Sequence, residues 1–338
     1  MAIKRIGING FGRIGRLVLR TIKARHADKI EVVAVNDLFD APTNAHLLKY
    51  DSTYGPYHGT VAAKDGHLVV DGKTINVTAE KDPAAIKWSA MGVELVIEST
   101  GLFTDATKAR AHIDGGKAKK VIISAPAKNE DITLVLGVNG DKYLPDKHHI
   151  VSNASCTTNG LAPVVKVLKD EFGIDKGLLT TVHAYTNSQK LQDLGAKDPR
   201  DARAAAQNIV PSETGAAKAV YKVIDGLEGK FGGMAFRVPT ATVSVVDFTV
   251  ILNKPATKES IREAMLKHSK TPAMKEILSV SDEPLVSSDL RGTTYSSVFS
   301  APDTLVVGNL AKVVAWYDNE WGYACRLGDL AAMIAGKL

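Results

Sequence analysis

Short apolar runs separated by turn residues recur through the first half of the chain and alternate with stretches of helical period. That pattern predicts a sheet of mainly parallel strands wrapped by helices. Residues 3–9, 31–36, 93–98, 121–124, 133–136 and 149–152 read as strands, and Leu17, Leu19, Ile22 and Lys23 place a helix after the first of them. Residues 58–78, with Gly66, Asp71 and Gly72 at their bends, read as inserted antiparallel hairpins. Another helix is expected after residues 99–103, opened by Thr104 or Asp105 as N-cap.

Beyond residue 155 the pattern changes. A helix over Leu161, Val164, Val165, Leu168 and Phe172, with Pro163 kinking it or marking irregular first turns, leads to a strand over residues 178–185. A polar segment over 186–208 follows, and then residues 211–218 open a further helix. Residues 243–252, 296–299, 304–307 and 311–318 are rich in branched side chains and read as strands, interrupted by one clear helix over 258–267. Residues 322–334 are helical again and are expected to pack back on the first domain. The expected fold is therefore α/β, a Rossmann-type doubly wound sheet followed by a second α+β domain of mixed or antiparallel sheet. Its boundaries fall at 1–155, completed by a C-terminal helix over 319–338, and at 156–318.

The first predicted strand runs straight into Gly10-Phe-Gly12-Arg13-Ile14-Gly15 and a helix. By itself Gly-x-Gly-x-x-Gly says little, but in strand, turn, helix order it is the dinucleotide fingerprint. Asp37 ends the second strand about 22 residues past Gly15, where that fingerprint places an acid on the ribose hydroxyls. A carboxylate there repels a 2′-phosphate, which favours NAD over NADP. Thr100, Gly101 and Ser124 lie in loops at strand carboxyl ends and are further cofactor candidates, with ordinary loop chemistry as the alternative.

Cys156 stands in Asn153-Ala-Ser-Cys-Thr-Thr-Asn159, where a strand gives way to a helix. Amides at a helix N-terminus favour the thiolate, so the setting suits a nucleophile. An inert buried cysteine is the plainer alternative; the polar neighbours Ser155, Thr157, Thr158 and Asn159 argue against a dry core position. His183, near the end of its strand, is the natural base for such a thiol. A lone histidine in a strand is equally a satisfied core residue, and separation along the chain does not choose between the two.

Composition narrows the classes. With 338 residues, 45% hydrophobic and 23% charged, the chain has the balance of a globular enzyme of two domains. A net charge of +5, scattered, with 6% aromatic residues, speaks against nucleic acid as the primary partner and suits small anions. No apolar run reaches the roughly 18 residues of a membrane span, and the start does not read as a secretory signal. Two cysteines provide neither a disulfide framework nor a metal-ligand pattern, so no metal and a cytoplasmic location are expected.

Gly7-Ile-Asn-Gly-Phe-Gly-Arg-Ile-Gly15, Ala154-Ser-Cys-Thr-Thr-Asn159, His183-Ala-Tyr-Thr186, Thr214-Gly-Ala-Ala-Lys218, Phe236-Arg-Val-Pro-Thr240 and Trp316-Tyr-Asp-Asn-Glu-Trp-Gly-Tyr323 together resemble the phosphorylating glyceraldehyde-3-phosphate dehydrogenases of glycolysis. The likeness runs nearly end to end. It implies that Cys156 attacks the aldehyde to give a hemithioacetal, that His183 assists as base, and that inorganic phosphate cleaves the resulting thioester to an acyl phosphate. Ser155, Thr157, Thr214 and Gly215 match the binding positions for one phosphate; Thr186 and Arg237 match the other, with Arg237 within reach of both. On the cofactor side it implies Gly10, Gly12, Arg13 and Ile14 at the pyrophosphate, Asp37 at the adenosine ribose, further contacts from Lys81 and Ser124, and Asn319 orienting the carboxamide beside Tyr323. A homotetramer is implied as well, and a sister dehydrogenase acting on erythrose 4-phosphate shares the same logic. Three departures stand out: Asp201 where some bacterial members have an arginine, Ser188 where an aspartate is common, and Leu194-Gly195 where strict NAD users often have proline second.

Overall fold

The computed structural model describes residues 3–338, and the chain divides into two compact units. The first comprises the described residues up to Leu134, Asp141–Ala154 and Ala324–Leu338. Its sheet is built from β1 (Lys4–Asn9), β2 (Ile30–Asn36), β3 (Val61–Lys64), β4 (His67–Val70), β5 (Lys73–Thr78), β6 (Leu95–Glu98), β7 (Lys120–Ile123), β8 (Ile132–Thr133) and β9 (Ile150–Ser152), in the order β3-β4-β5-β2-β1-β6-β7-β9-β8. Every pair from β5 across to β8 is parallel; β3, β4 and β5 are the antiparallel hairpins expected around Gly66 and Gly72.

Every residue of β6 and β7 is buried, as a parallel sheet covered on both faces requires. The helices are α1 (Arg13–Arg25), α2 (Ala41–Lys49) and the short α3 (Ala106–Ala109) and α4 (Ala111–Asp114). Asp105 caps α3, settling the choice between it and Thr104. No helix was expected at α2, although its signals are present: Asp40 accepts from Thr43 N at 2.9 Å, and a proline stands in the first turn.

The second unit comprises Val135–Gly140 and Ser155–Tyr323. α5 (Cys156–Phe172) opens it, and Pro163 lies inside that helix, where it cannot donate to the carbonyl four residues earlier. The sheet contains β10 (Ile174–Ala184), β11 (Val210–Glu213), β12 (Phe231–Val238), β13 (Ser244–Leu252), β14 (Leu278–Ser281), β15 (Ser297–Val307) and β16 (Leu310–Tyr317), in the order β11-β12-β10-β13-β16-β15-β14. It is mixed: β10 runs parallel to β12, β14 parallel to β15, and the remaining pairs are antiparallel. α5 lies across β10, β13, β16 and β15, in contact with α6 (Ala216–Val223) and α7 (Lys258–Ser269).

Three expectations need correction. The strand expected at 133–136 ends at Thr133, the last residue of β8, and residues 134–136 lie outside any strand. Pro211, Ser212 and Glu213 belong to β11, and the helix after them starts only at Ala216. The two strands expected at 296–299 and 304–307 are one, β15, whose register opposite β16 shifts between Ser300 and Leu305. Pro302 lies in that irregular stretch; without an N–H it breaks the ladder and mimics a strand end in the sequence. β12 went unread because Gly232 and Gly233 flatten its alternation.

The last helix, α8 (Trp321–Ala335), crosses from the second unit to the first at Ala324. Within the first unit, Thr21 Oγ1 on α1 donates to Ala324 O at 3.2 Å, and Asp329 meets His26 Nε2 at 2.5 Å and Arg25 Nη2 at 3.4 Å.

Candidate active site

Ser155 is the N-cap of α5. Its Oγ accepts from Thr158 N at 3.0 Å and lies 2.7 Å from Thr158 Oγ1, while Asn159 Nδ2 donates to Ser155 O. Capping with a serine rather than an acid leaves the positive helix end unneutralised at the next residue, Cys156. Cys156 Sγ lies 3.5 Å from His183 Nε2, so residues 27 apart in sequence meet as thiol and imidazole. Burial pushes the thiol up from its ordinary value, against the pull of Arg237 and of hydrogen bonds from Thr157. His183 is lowered to about 3 by burial first and by Arg237 second, against its contact with Ala184 O. Both directions favour the neutral forms of thiol and imidazole and oppose the helix N-terminus, which favours the thiolate.

The pair is held from behind. Tyr317 OH lies 2.8 Å from both Thr157 Oγ1, in the first turn of α5, and Thr181 Oγ1, two residues before His183 on β10. The Tyr317 ring also meets the His183 ring edge-on, with centroids 5.9 Å apart. A Cβ at Gly160 would come within 2.9 Å of the Tyr317 ring, so only glycine lets α5 approach this closely. The Thr157 side chain is thus turned inward, and what it offers an anion is its main-chain amide.

Arg237 comes from β12, directly opposite His183 in the parallel register. Its Nη1 lies 2.5 Å from His183 Nδ1 and 3.2 Å from Ala184 O, and His183 Nδ1 is itself 2.6 Å from Ala184 O. Thr186 follows two residues after β10, half-buried, with Oγ1 3.1 Å from Ser188 Oγ. Thr214 Oγ1 accepts from Ala216 N at 3.2 Å, and exposed Gly215 is the N-cap of α6. Asp201, at one of the departures, accepts from Ser212 Oγ at 3.2 Å. Asn319 is buried, and its Oδ1 accepts from Ser244 Oγ at 2.9 Å; the same Ser244 Oγ accepts from Ala184 N at 3.0 Å. Tyr323, four residues on, is buried in α8.

The first unit carries the glycine turn. Gly10 adopts φ +88, and a Cβ there would meet Thr100 N at 2.6 Å, so the turn is both left-handed and pressed against the loop after β6. Gly12 is the N-cap of α1, with no side-chain cap and no acid in the first turn, a helix start whose dipole suits an anion. Ile14 is half-buried. The Arg13 guanidinium pairs with Asp51 and lies over the Tyr54 ring, so its main chain is what it brings to the turn. Asp37 accepts from Phe11 N at 2.8 Å and from Phe39 N at 3.0 Å, one bond to each oxygen, with lone pairs to spare. Exposed Lys81 follows Glu80, whose main chain is held by Asn36. Gly101 is exposed at φ +74, and half-buried Ser124 sits at the end of β7.

Comparison with known proteins bears directly on this arrangement. Residues 4–106 match the model of the glyceraldehyde 3-phosphate dehydrogenase NAD binding domain, and residues 155–319 match that of its C-terminal domain. A glyceraldehyde-3-phosphate dehydrogenase of Geobacillus stearothermophilus is 57% identical over 338 residues, covering 100% of this chain and 99% of the relative. Relatives of the same name from Priestia megaterium and Bacillus subtilis are each 55% identical over the same length and coverage. The chain belongs to the glyceraldehyde-3-phosphate dehydrogenase family. Two residues of this glyceraldehyde-3-phosphate dehydrogenase scaffold received no role from sequence reasoning, Tyr317 and Ser244. Tyr317 was visible inside the 316–323 motif; Ser244 had no signal, because its part depends on which strands are neighbours.

Proposed function

We propose that the chain is an NAD-dependent, phosphorylating glyceraldehyde-3-phosphate dehydrogenase, with Cys156 as nucleophile and His183 as general base. The observation that carries this reading is the 3.5 Å approach of Cys156 Sγ to His183 Nε2, with Arg237 on the far side of the ring. Family membership and the 57% identity support the same activity.

The first unit fits the dinucleotide. The left-handed glycine turn at Gly10, the uncapped start of α1 at Gly12, Arg13 and Ile14, and the Asp37 carboxylate together would hold pyrophosphate and ribose, with Lys81, Thr100, Gly101 and Ser124 as further contacts. Asn319, its oxygen already engaged by Ser244, would present its amide N–H to a carboxamide, with Tyr323 nearby in sequence. NAD, when bound, supplies the acceptor for the hydride. This assigns residues 1–155 and the C-terminal helix to cofactor binding and 156–318 to catalysis.

His183 Nε2 takes the proton from Cys156 as sulfur adds to the aldehyde carbon, giving a hemithioacetal. The same nitrogen returns that proton to the carbonyl oxygen to complete the hydroxyl, and takes it back as the carbon gives up hydride and a thioester forms on Cys156. An oxygen of inorganic phosphate adds to the thioester carbon, and Sγ leaves as the acyl phosphate departs. Arg237 and Thr186 bind the phosphate of the substrate, while Ser155, the Thr157 amide, Thr214 and Gly215 bind the attacking phosphate, with hydroxyls, amides and a guanidinium as suitable ligands.

A homotetramer fits the exposed face of the second sheet. Strand register places Leu178, Met234, Leu305, Val307 and Leu310 on one side of it, and all are exposed. Sedimentation equilibrium checks this. A cytoplasmic location suits a chain whose Cys156 and Cys325 are not joined in a disulfide; among the described residues no helix is long and apolar enough to cross a membrane.

One enzyme equivalent of D-glyceraldehyde 3-phosphate should give a burst of NADH, with steady turnover only when phosphate is present. Faster turnover of erythrose 4-phosphate, or no burst, would overturn this reading.

A further inference from the structure

A buried carboxylate lies beneath the glycine turn of the first unit, and the chemistry proposed above does not use it. Glu98, the last residue of β6, is 2% exposed. Its Oε1 accepts from Thr100 N at 2.8 Å and from Thr100 Oγ1 at 2.5 Å. Its Oε2 meets Asn9 Nδ2 at 2.5 Å and His112 Nε2 at 2.9 Å. Each oxygen thus faces two partners, and a carboxylate, which only accepts, can serve all of them if each of them donates.

The surroundings make each of them donate. Trp88 Nε1, which can only donate, lies 2.9 Å from His112 Nδ1. That nitrogen must therefore be bare, so the proton sits on Nε2 and points at Glu98; the imidazole is neutral and locked in one tautomer. Asn9 is locked in the same way, because its Oδ1 accepts from Asn36 Nδ2 at 2.8 Å, which leaves its NH₂ for Glu98. Asn36 in turn is fixed by Thr78 Oγ1 and Glu80 N, both donating to its Oδ1 at 2.8 Å. A single run of polar contacts from Trp88 to Glu80 thus ties together the carboxyl ends of β1, β2, β5 and β6. Through the Glu98 carboxylate it reaches the loop after β6 at Thr100, whose main chain abuts Gly10.

From this geometry we infer that Glu98 is a positioning residue of the dinucleotide site: it acts through Thr100 to fix the loop against which the glycine turn is built, and the Trp88–His112 pair keeps that carboxylate supplied with donors. The inference rests on the proposed NAD site. Glu98→Gln replaces one oxygen by an NH₂, which faces Asn9 and His112 at the Oε2 position or the Thr100 N–H at the Oε1 position. His112 cannot relieve the clash by changing tautomer, because the new N–H would face Trp88, and Asn9 cannot flip without opposing Asn36. Removing the indole donor should free His112, so Trp88→Phe is expected to restore in part what Glu98→Gln removes.

Calorimetric titration with NAD on the full chain tests this, with steady-state kinetics as a second readout. Wild type should bind NAD; if it does not, the NAD-site reading itself falls. Glu98→Gln should bind about ten-fold more weakly, as expected for a misplaced buried polar group, and the rise in KM for NAD should exceed the change in KM for the aldehyde. Glu98→Gln/Trp88→Phe should recover part of that loss. Equal NAD affinity of wild type and Glu98→Gln, or no recovery in the double variant, overturns the inference. If Glu98→Gln does not fold, Glu98→Asp carries the test, since it keeps the charge but draws it back from Thr100; unchanged NAD affinity there also overturns it. Histidine ¹⁵N spectra of wild type should show His112 protonated at Nε2 alone, and a proton on Nδ1 would defeat the tautomer lock.

Discussion

Arg237 Nη1 lies 2.5 Å from His183 Nδ1, across directly paired positions of two parallel strands. A fixed cation at that distance opposes a second positive charge on the ring and, after burial, is the largest cause of its low pKa of about 3. Below the ordinary 6.5 an unfolded chain takes up a proton at this ring that the folded chain refuses until about 3. The group therefore opposes folding increasingly as pH falls across that window and contributes nothing above it. Arg237→Gln should raise the folded pKa and shrink the window from its acid end. Urea unfolding of both proteins from pH 7 to pH 4 measures this, and parallel curves would show that Arg237 does not control the ring.

Replacing Cys156 by serine should lower aldehyde oxidation by more than about a thousand-fold, since the nucleophile acts as a unit with its base, while NAD binding in the calorimeter stays intact. Residual oxidation near the wild-type rate would remove Cys156 from the chemistry.

His183→Asn should reduce kcat by roughly 10²–10⁴-fold, the usual contribution of a positioned general base. It should also slow alkylation of Cys156 by iodoacetamide at neutral pH. An alkylation profile identical to wild type across pH 6–9 would mean that the imidazole does not share the thiol proton.

Ser244→Ala breaks the link from Ala184 N through Ser244 to Asn319. Loss of one such bond costs about 1 kcal/mol, or roughly five-fold in equilibrium terms, and is expected in KM for NAD. A folded variant with the wild-type KM would free Asn319 from dependence on Ser244.

Asp37 accepts two main-chain N–H groups that hold the turn and would repel a 2′-phosphate. Asp37→Ser should narrow the preference for NAD over NADP and weaken NAD itself. Initial rates with both cofactors decide the point, and an unchanged ratio would place discrimination elsewhere, the Leu194-Gly195 segment being the next position to vary.

The parallel sheet was legible because its buried strands are unbroken apolar runs and its glycine turn sits between strand and helix. Cys156 was legible for a similar local reason, a thiol one residue past a serine cap. The approach of Arg237 to His183 was not, since it depends on β12 lying beside β10 in parallel, and Gly232 and Gly233 hid β12 altogether. The charge state of the pair depends on opposing causes of different range. A helix end is a local feature that sequence displays, whereas burial and the Arg237 cation arise only on folding.

Tyr317 has a consequence for how this centre tolerates change. Its phenol spans the start of α5 and β10 through two threonine hydroxyls, so the spacing between sulfur and imidazole is set by a buried group behind them. The nucleophile is thus a guest in a prebuilt frame: a selenol, a hydroxyl or a bare methyl at position 156 should find the imidazole still in place, which makes the pocket a ready host for installing other reactive groups.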